Sequence, residues 1–246
     1  MKNLFALIFV LLISSNLLAQ DEKPRTFFDA PFGGGGGFLP AWFIPNVDDI
    51  NTKLGAFGTE KLSTSGFFAT GGAGFAYIGF IPNVRIGGLG MAGAMDATGI
   101  KDGTEREVIY TNSFGGFTVE YTVPFIRSIG VSVGAIIGGG NMNLQISRNK
   151  GTYDWNNIWN EISDTSLNAS SFTRTFKKDY FTVAPTITID IPIYRFLGVR
   201  VGAGYAFAFG GDWKIDNDRE IFNVPDTFNG NNLFIQTGVM FGFFAY

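Results

Sequence analysis

Between Leu197 and Gly210 the chain alternates with a period of two residues, and this constrains its fold more than any other feature. Leu197, Val199, Val201, Ala203, Tyr205, Phe207 and Phe209 share one face; Gly198, Arg200, Gly202, Gly204, Ala206, Ala208 and Gly210 share the other. Successive side chains point to opposite sides only in an extended strand, so one face is bulky and apolar and the other small or charged. The stretch from Ile129 repeats the pattern, with Ile129, Val131, Val133, Ala135 and Ile137 set against Gly130, Ser132, Gly134, Ile136 and Gly138. Either the interior of a soluble sandwich or lipid must cover the bulky face. Many of the chain's 34 glycines fall inside these strand patterns. Glycine weakens a sandwich strand because it packs nothing, whereas a narrow barrel needs small residues on its inner face.

The strands are joined by a turn that the chain writes out more than once. Val123-Pro124-Phe125-Ile126-Arg127 and Ile191-Pro192-Ile193-Tyr194-Arg195 each lead, a few residues on, into Gly-Val-x-Val-Gly-Ala, and Ile81-Pro82-Asn83-Val84-Arg85 is a shorter relative. Proline has no ladder N–H to donate, so each copy marks a place where pairing stops. Strands are expected at Gly66–Gly79, Val84–Met95, Glu105–Val123, Ile129–Ile146, Phe172–Ile191, Leu197–Trp213 and Asn232–Tyr246, with a glycine-rich first strand over Gly33–Phe43. Long connections fall at Ile44–Ser65, Asp96–Thr104, Ser147–Ser171 and Lys214–Asn231, and they alternate with the short proline turns. In an up-and-down meander all short turns and both termini then lie at one end and all long loops at the other. Asn46 reads as the N-cap of a short helix with Asp48 and Asp49 in its first turn. Val47, Ile50, Leu54 and Phe57 form its apolar stripe, and Gly58 ends it.

Met1 to Gln20 reads as a secretory signal, with Lys2 at its positive end, an apolar run from Phe5 to Leu18, and Ala19 at the cleavage point. Residues 21–246 are then a single exported β domain. Cysteine is absent, which excludes a disulfide framework and a lipoprotein anchor. The formal net charge of −3 argues against nucleic acid as a partner, because that needs a basic footprint.

Aromatic residues gather where strands end. Tyr194, Phe244 and Tyr246 lie near the short turns, and Trp42 and Trp213 where strands meet long loops; such girdles sit at headgroup depth. The chain stops on a strand of alternating apolar residues with a terminal aromatic. In these features it resembles the small eight-stranded outer-membrane β-barrels of OmpA/OmpX/OmpW-like architecture. The resemblance implies a Gram-negative outer membrane, short periplasmic turns, long external loops, and contact with outer-membrane lipid and the barrel-insertion machinery.

Histidine is absent as well. The outer-membrane barrel proteases, phospholipases and lipid A acyltransferases and deacylases are similar to one another in using that residue as base or triad partner. No enzymatic activity and no cofactor are expected. Glu120, Asp190 and Arg200 are the charges on small-residue strand faces, so they should meet as an ion-pair network in the lumen. A charge on the lipid face would cost about 2–4 kcal/mol at mid-membrane. Arg85, Arg127 and Arg195 stand beside the short turns, as turn ends or headgroup contacts. Asp216, Asp218 and Glu220 alternate in an acidic loop with the oxygen ligands that calcium takes. That loop lacks the glycine of an EF-hand, and a solvated surface loop is the plainer reading. Trp155 and Trp159, with Ile158 and Ile162, suit a short amphipathic helix in the third long loop.

The expected function is a structural or binding role exercised through the external loops, with an extracellular or envelope protein as a candidate partner. Two alternatives stay open. One is a secreted soluble β-protein, such as a surface or fibre subunit or a carrier of apolar ligands. The other is a narrow channel for small apolar solutes.

Overall fold

The alternation resolves into an antiparallel sheet that closes on itself. A computed structural model describes residues 33–124, 129–150, 155 and 171–244. Its elements are β1 (Gly33–Phe38), β2 (Ala41–Pro45), α1 (Asp48–Phe57), β3 (Phe67–Tyr77), β4 (Val84–Lys101), β5 (Thr104–Thr122), β6 (Gly130–Asn149), β7 (Phe172–Tyr194), β8 (Leu197–Phe209), β9 (Lys214–Ile215), β10 (Arg219–Glu220) and β11 (Asn232–Phe244). The expected first strand is present in two pieces, because Leu39–Pro40 interrupts it. Both β1 and β2 pair with β11 on one side and β3 on the other. Across the break, Leu39 N–H donates to Gly71 O at 2.8 Å and Thr237 N–H to Pro40 O at 3.0 Å. With β1 and β2 counted as one strand, β3 to β8 and β11 complete a ring of 8. Closure leaves no sheet edge within the ring, a condition lipid imposes on any spanning sheet.

The bulky faces point outward. Phe117 is 74% exposed, and Val133, Ile137, Phe181, Ile187, Val201, Phe207, Ile235 and Phe241 are exposed with it. This ring of apolar side chains turned away from the interior is the lipid-facing belt of a transmembrane barrel. Among the described residues no helix is long and apolar enough to cross a membrane, so the crossing elements are the strands.

The inner face departs from the simple rule of bulky outside and small inside. In the half toward the long loops the lumen holds Phe43, Phe67, Tyr110, Phe114, Tyr180 and Phe234, all buried. In the other half inner glycines leave room for long polar side chains. A Cβ on Gly134 would lie 2.7 Å from Glu120 Cγ, and one on Gly202 2.9 Å from Gln236 Nε2.

Two local expectations change. The connection over Asp96–Thr104 is no loop: β4 and β5 run on and meet at Asp102-Gly103, whose φ angles of 55° and 68° make the tight mirror-image turn that Asp-Gly favours. With β6 (20 residues) and β7 (23 residues) they form a wall that outruns the 9–11 residues needed to cross a bilayer. Helix α1 begins one residue later than expected. Val47 is its N-cap residue, and the Asn46 side chain accepts a 3.2 Å hydrogen bond from Asp48 N–H. Gly58 ends it in the left-handed region, its N–H donating to Leu54 O at 2.8 Å. The signal segment, Arg127, Trp159, Ile158 and Ile162 lie outside the described residues, and Trp155 is exposed.

Candidate functional site

Register brings the luminal charges together as two cross-strand pairs. Arg85 is the first inward residue of β4 and stands opposite Glu120 on β5, while Asp190 on β7 stands opposite Arg200 on β8. The pairs reach each other across the lumen beside β6, which presents Gly134 and Gly130 there. Arg85 Nε donates to Glu120 Oε2 at 2.7 Å and its Nη1 to Asp190 Oδ2 at 2.6 Å. Arg200 grips Asp190 through two donors, Nε to Oδ1 at 2.7 Å and Nη2 to Oδ2 at 3.1 Å. Its Nη1 also lies 3.8 Å from Glu120. The Thr188 hydroxyl donates to Glu120 Oε1 at 3.1 Å and accepts from Arg85 Nη2 at 3.2 Å. Both guanidiniums lie over the Phe75 ring, 4.6 Å and 4.9 Å from its centroid.

Arg85 therefore leaves the short turn, where its sequence position put it. It is 0% exposed and belongs to the cluster, which balances two positive charges with two negative ones. Burial this deep strengthens each charge-assisted hydrogen bond and makes loss of any member costly. Every carboxylate oxygen in the cluster is held by a donor, so the arrangement braces β4–β5 against β7–β8 and presents no free base.

Toward the long loops the lumen is packed with rings. Phe43 stacks on Phe114 at 5.4 Å and meets Phe67 edge-on at 5.6 Å, and Phe114 lies 5.2 Å from Phe234. A cap closes over them. Val47, Leu54 and Leu62 are buried, and Phe228 packs on Tyr110 at 6.3 Å. Asn51 fixes the return of the chain, donating to Leu62 O at 2.9 Å and accepting from Leu62 N–H at 2.8 Å. The C-terminal end of α1 is tied to the wall by Arg106, which donates to Phe57 O, and by Lys101, which donates to Ala56 O at 3.1 Å. Near its other end the Thr227 hydroxyl donates to Asp49. Asp49 thus serves the cap.

Trp213 corrects the girdle reading. It is 7% exposed and stacks on Phe228 at 4.9 Å, so it belongs to the cap and not to the lipid interface. Trp42 is partly exposed on the outer wall and donates to Ser65 O at 2.7 Å, and Tyr194 is exposed at the short turn. Phe244 contributes backbone to β11, while its side chain and Tyr246 lie outside the described residues. Asp216, Asp218 and Glu220 sit on the β9–β10 hairpin. Asp216 accepts from Arg174 and, at 3.1 Å, from Thr175 N–H, and these contacts hold its carboxyl below the usual range. No group of three acidic side chains converges there among the described residues.

Closure, the apolar belt and the filled lumen define the class: a small eight-stranded β-barrel of outer-membrane type. No family model and no curated protein matches the sequence. Solved structures similar in fold include a major outer membrane protein from Thermus thermophilus (9% identity, 86% of this chain and 99% of that chain, TM-score 0.46). Ail, the attachment invasion locus protein of Yersinia pestis, is another (8% identity, 86% and 97%, TM-score 0.42). A third is CarO2 of Acinetobacter baumannii (11% identity, 85% and 98%, TM-score 0.40).

Proposed function

We propose that the protein is an exported outer-membrane barrel of a Gram-negative envelope, with a structural or binding role carried by its long-loop end and no catalytic or transport activity. The observation that carries this reading is the filled lumen. A charge-balanced cluster occupies one half, stacked aromatic rings the other, and a tied-down cap covers the mouth. Eight strands enclose a space just wide enough for side chains, and here side chains take it. What projects outward is the β4–β7 wall, the α1 segment and the β9–β10 hairpin, which together offer a folded surface to a partner. In this reading Met1–Gln20 directs export, and the barrel-insertion machinery places residues 21–246 in the membrane. The test is conductance of the purified protein in planar lipid bilayers. No steady current is expected, and stepwise openings lost on replacing Glu120 or Arg200 would overturn the reading in favour of a channel.

A further inference from the structure

Beyond the belt, the β4–β6 part of the wall sorts its charges by face. The cations near its tip, Lys101, Arg106 and Arg148, stand on the side of the cap. There Lys101 and Arg106 hold the end of α1, and Arg148 lies over the Phe172 ring, 4.8 Å from its centroid. The opposite side carries Asp96 on β4 and Glu105 and Glu107 on β5, beside Gln145, Ser147 and Asn149 of β6. Past Ala94 and Thr111 no lysine or arginine lies on that side of these three strands. Among the described residues none of the three carboxylates has an ion pair.

This outward face is hollowed. A cavity of about 340 Å³ is lined by Glu105, Glu107, Thr98, Asn149 and Ile100. Arg106 borders it too, but its guanidinium is turned to the cap, where it donates to Phe57 O. Register sets the face in two rows, Thr98–Glu107–Ser147 and Ile100–Glu105–Asn149. Ser147 is only 5% exposed, and its hydroxyl has no hydrogen-bond partner among the described residues. Ile100 is 77% exposed and offers an apolar wall beside the two acids.

A cleft lined by one sign of charge concentrates the opposite sign. A bare divalent cation takes several converging oxygens, and no group of three acidic side chains converges among the described residues. An anionic lipid or polyanion is repelled. A guanidinium answers the lining best. It brings five donors in a planar fork, for two carboxylates, the Thr98 and Ser147 hydroxyls and the Asn149 amide oxygen, and its stem can lie along Ile100. We infer that the outward face of β4–β6 receives a basic segment of a protein partner, with an arginine side chain entering the cavity at Glu105 and Glu107. Asp96, nearer the membrane on β4, is placed for a second cation of the same segment. The inference deepens the binding role proposed above and rests on it.

The test uses the full-length protein in phosphatidylcholine nanodiscs, whose zwitterionic surface carries no net charge to hold a basic peptide. Binding of fluorescein-labelled hexa-arginine is followed by anisotropy at physiological ionic strength, with hexa-glutamate as the control. Gel mobility of unboiled samples shows that each variant has folded. Saturable binding is expected, weakened about tenfold or more in Glu105→Gln/Glu107→Gln and also weakened in Ile100→Ser, which changes no charge. Asp218→Asn/Glu220→Gln removes as much charge from the β9–β10 hairpin and is expected to bind as the parent does. Absence of saturable binding, or equal losses in the two double variants, would overturn the inference and leave a solvated acidic face. Parental binding by Ile100→Ser would overturn the placement of the arginine in the cavity. Conductance of the same preparation separates the two levels. A silent record without peptide binding overturns this inference alone, whereas stepwise openings lost on replacing Glu120 or Arg200 overturn the reading beneath it.

Discussion

Glu120 accepts from both Arg85 and Thr188 and lies near Arg200, so its charge is answered twice over. Glu120→Gln leaves two buried guanidiniums facing one carboxylate, and removing one partner of a buried pair costs about 3–5 kcal/mol. Urea unfolding of the reconstituted variant should show a loss of that order. The double variant Arg85→Met/Glu120→Leu, which keeps the Asp190–Arg200 pair balanced, should recover part of it. An unfolding midpoint equal to the parent's in Glu120→Gln would show that the cluster does not brace the barrel. Three of the four charges are visible in the sequence because each stands on a face whose neighbours are small or polar. Arg85 is not. It shares its face with Gly87, Leu89 and Met91, while the opposite face carries Gly88 and Gly90, so the phase of β4 cannot be read from residue size. Register against Glu120 settles it.

Most strands of the barrel are legible from their period of two, because each crosses lipid with one face and lines the lumen with the other. That signal fades where a strand leaves the membrane. Beyond Ala94 the outward residues of β4 are Asp96, Thr98 and Ile100, and those of β5 are Ile109, Glu107 and Glu105, so the apolar face gives way to a mixed one and strand continuing in water reads as loop. The cue that remains is the Asp102-Gly103 pair. Trp213 misleads for a related reason: a large aromatic at a strand end suits a girdle, and only the fold shows Phe228 arriving to bury it. The β9–β10 hairpin is held to the wall partly by Asp216. Its carboxyl, kept ionised by Arg174 and Thr175 N–H, has a folded pKa below its unfolded value of about 3.9. Its contribution is therefore present above that unfolded value and is lost as pH falls through the folded one. Protection of the hairpin amides, taken as exchange relative to the intrinsic rate at each pH, should fall below roughly pH 4 in the parent. Asp216→Asn should be insensitive over the same window, and an identical acid response in both proteins would remove Asp216 from this role.

At the scale of the whole molecule the two ends differ in kind. The two fully described short turns, at 78–84 and 191–198, are apolar apart from Arg195, the middle is belted with exposed side chains such as Ile187 and Phe241, and the long-loop end is a projecting, charge-rich wall with a cap. A soluble protein would have to hide that belt, whereas a membrane requires it. In the role proposed above, the cap and the filled lumen leave the outer surface of the long-loop end as the part that would meet a partner. Closure of the ring through the β1–β11 and β1–β3 pairings is tested most directly by gel mobility of boiled against unboiled protein in detergent. A closed, detergent-resistant barrel predicts a faster-migrating unboiled band. Identical mobility of the two samples, with the protein soluble in plain buffer, would contradict a membrane barrel and favour a secreted β-protein.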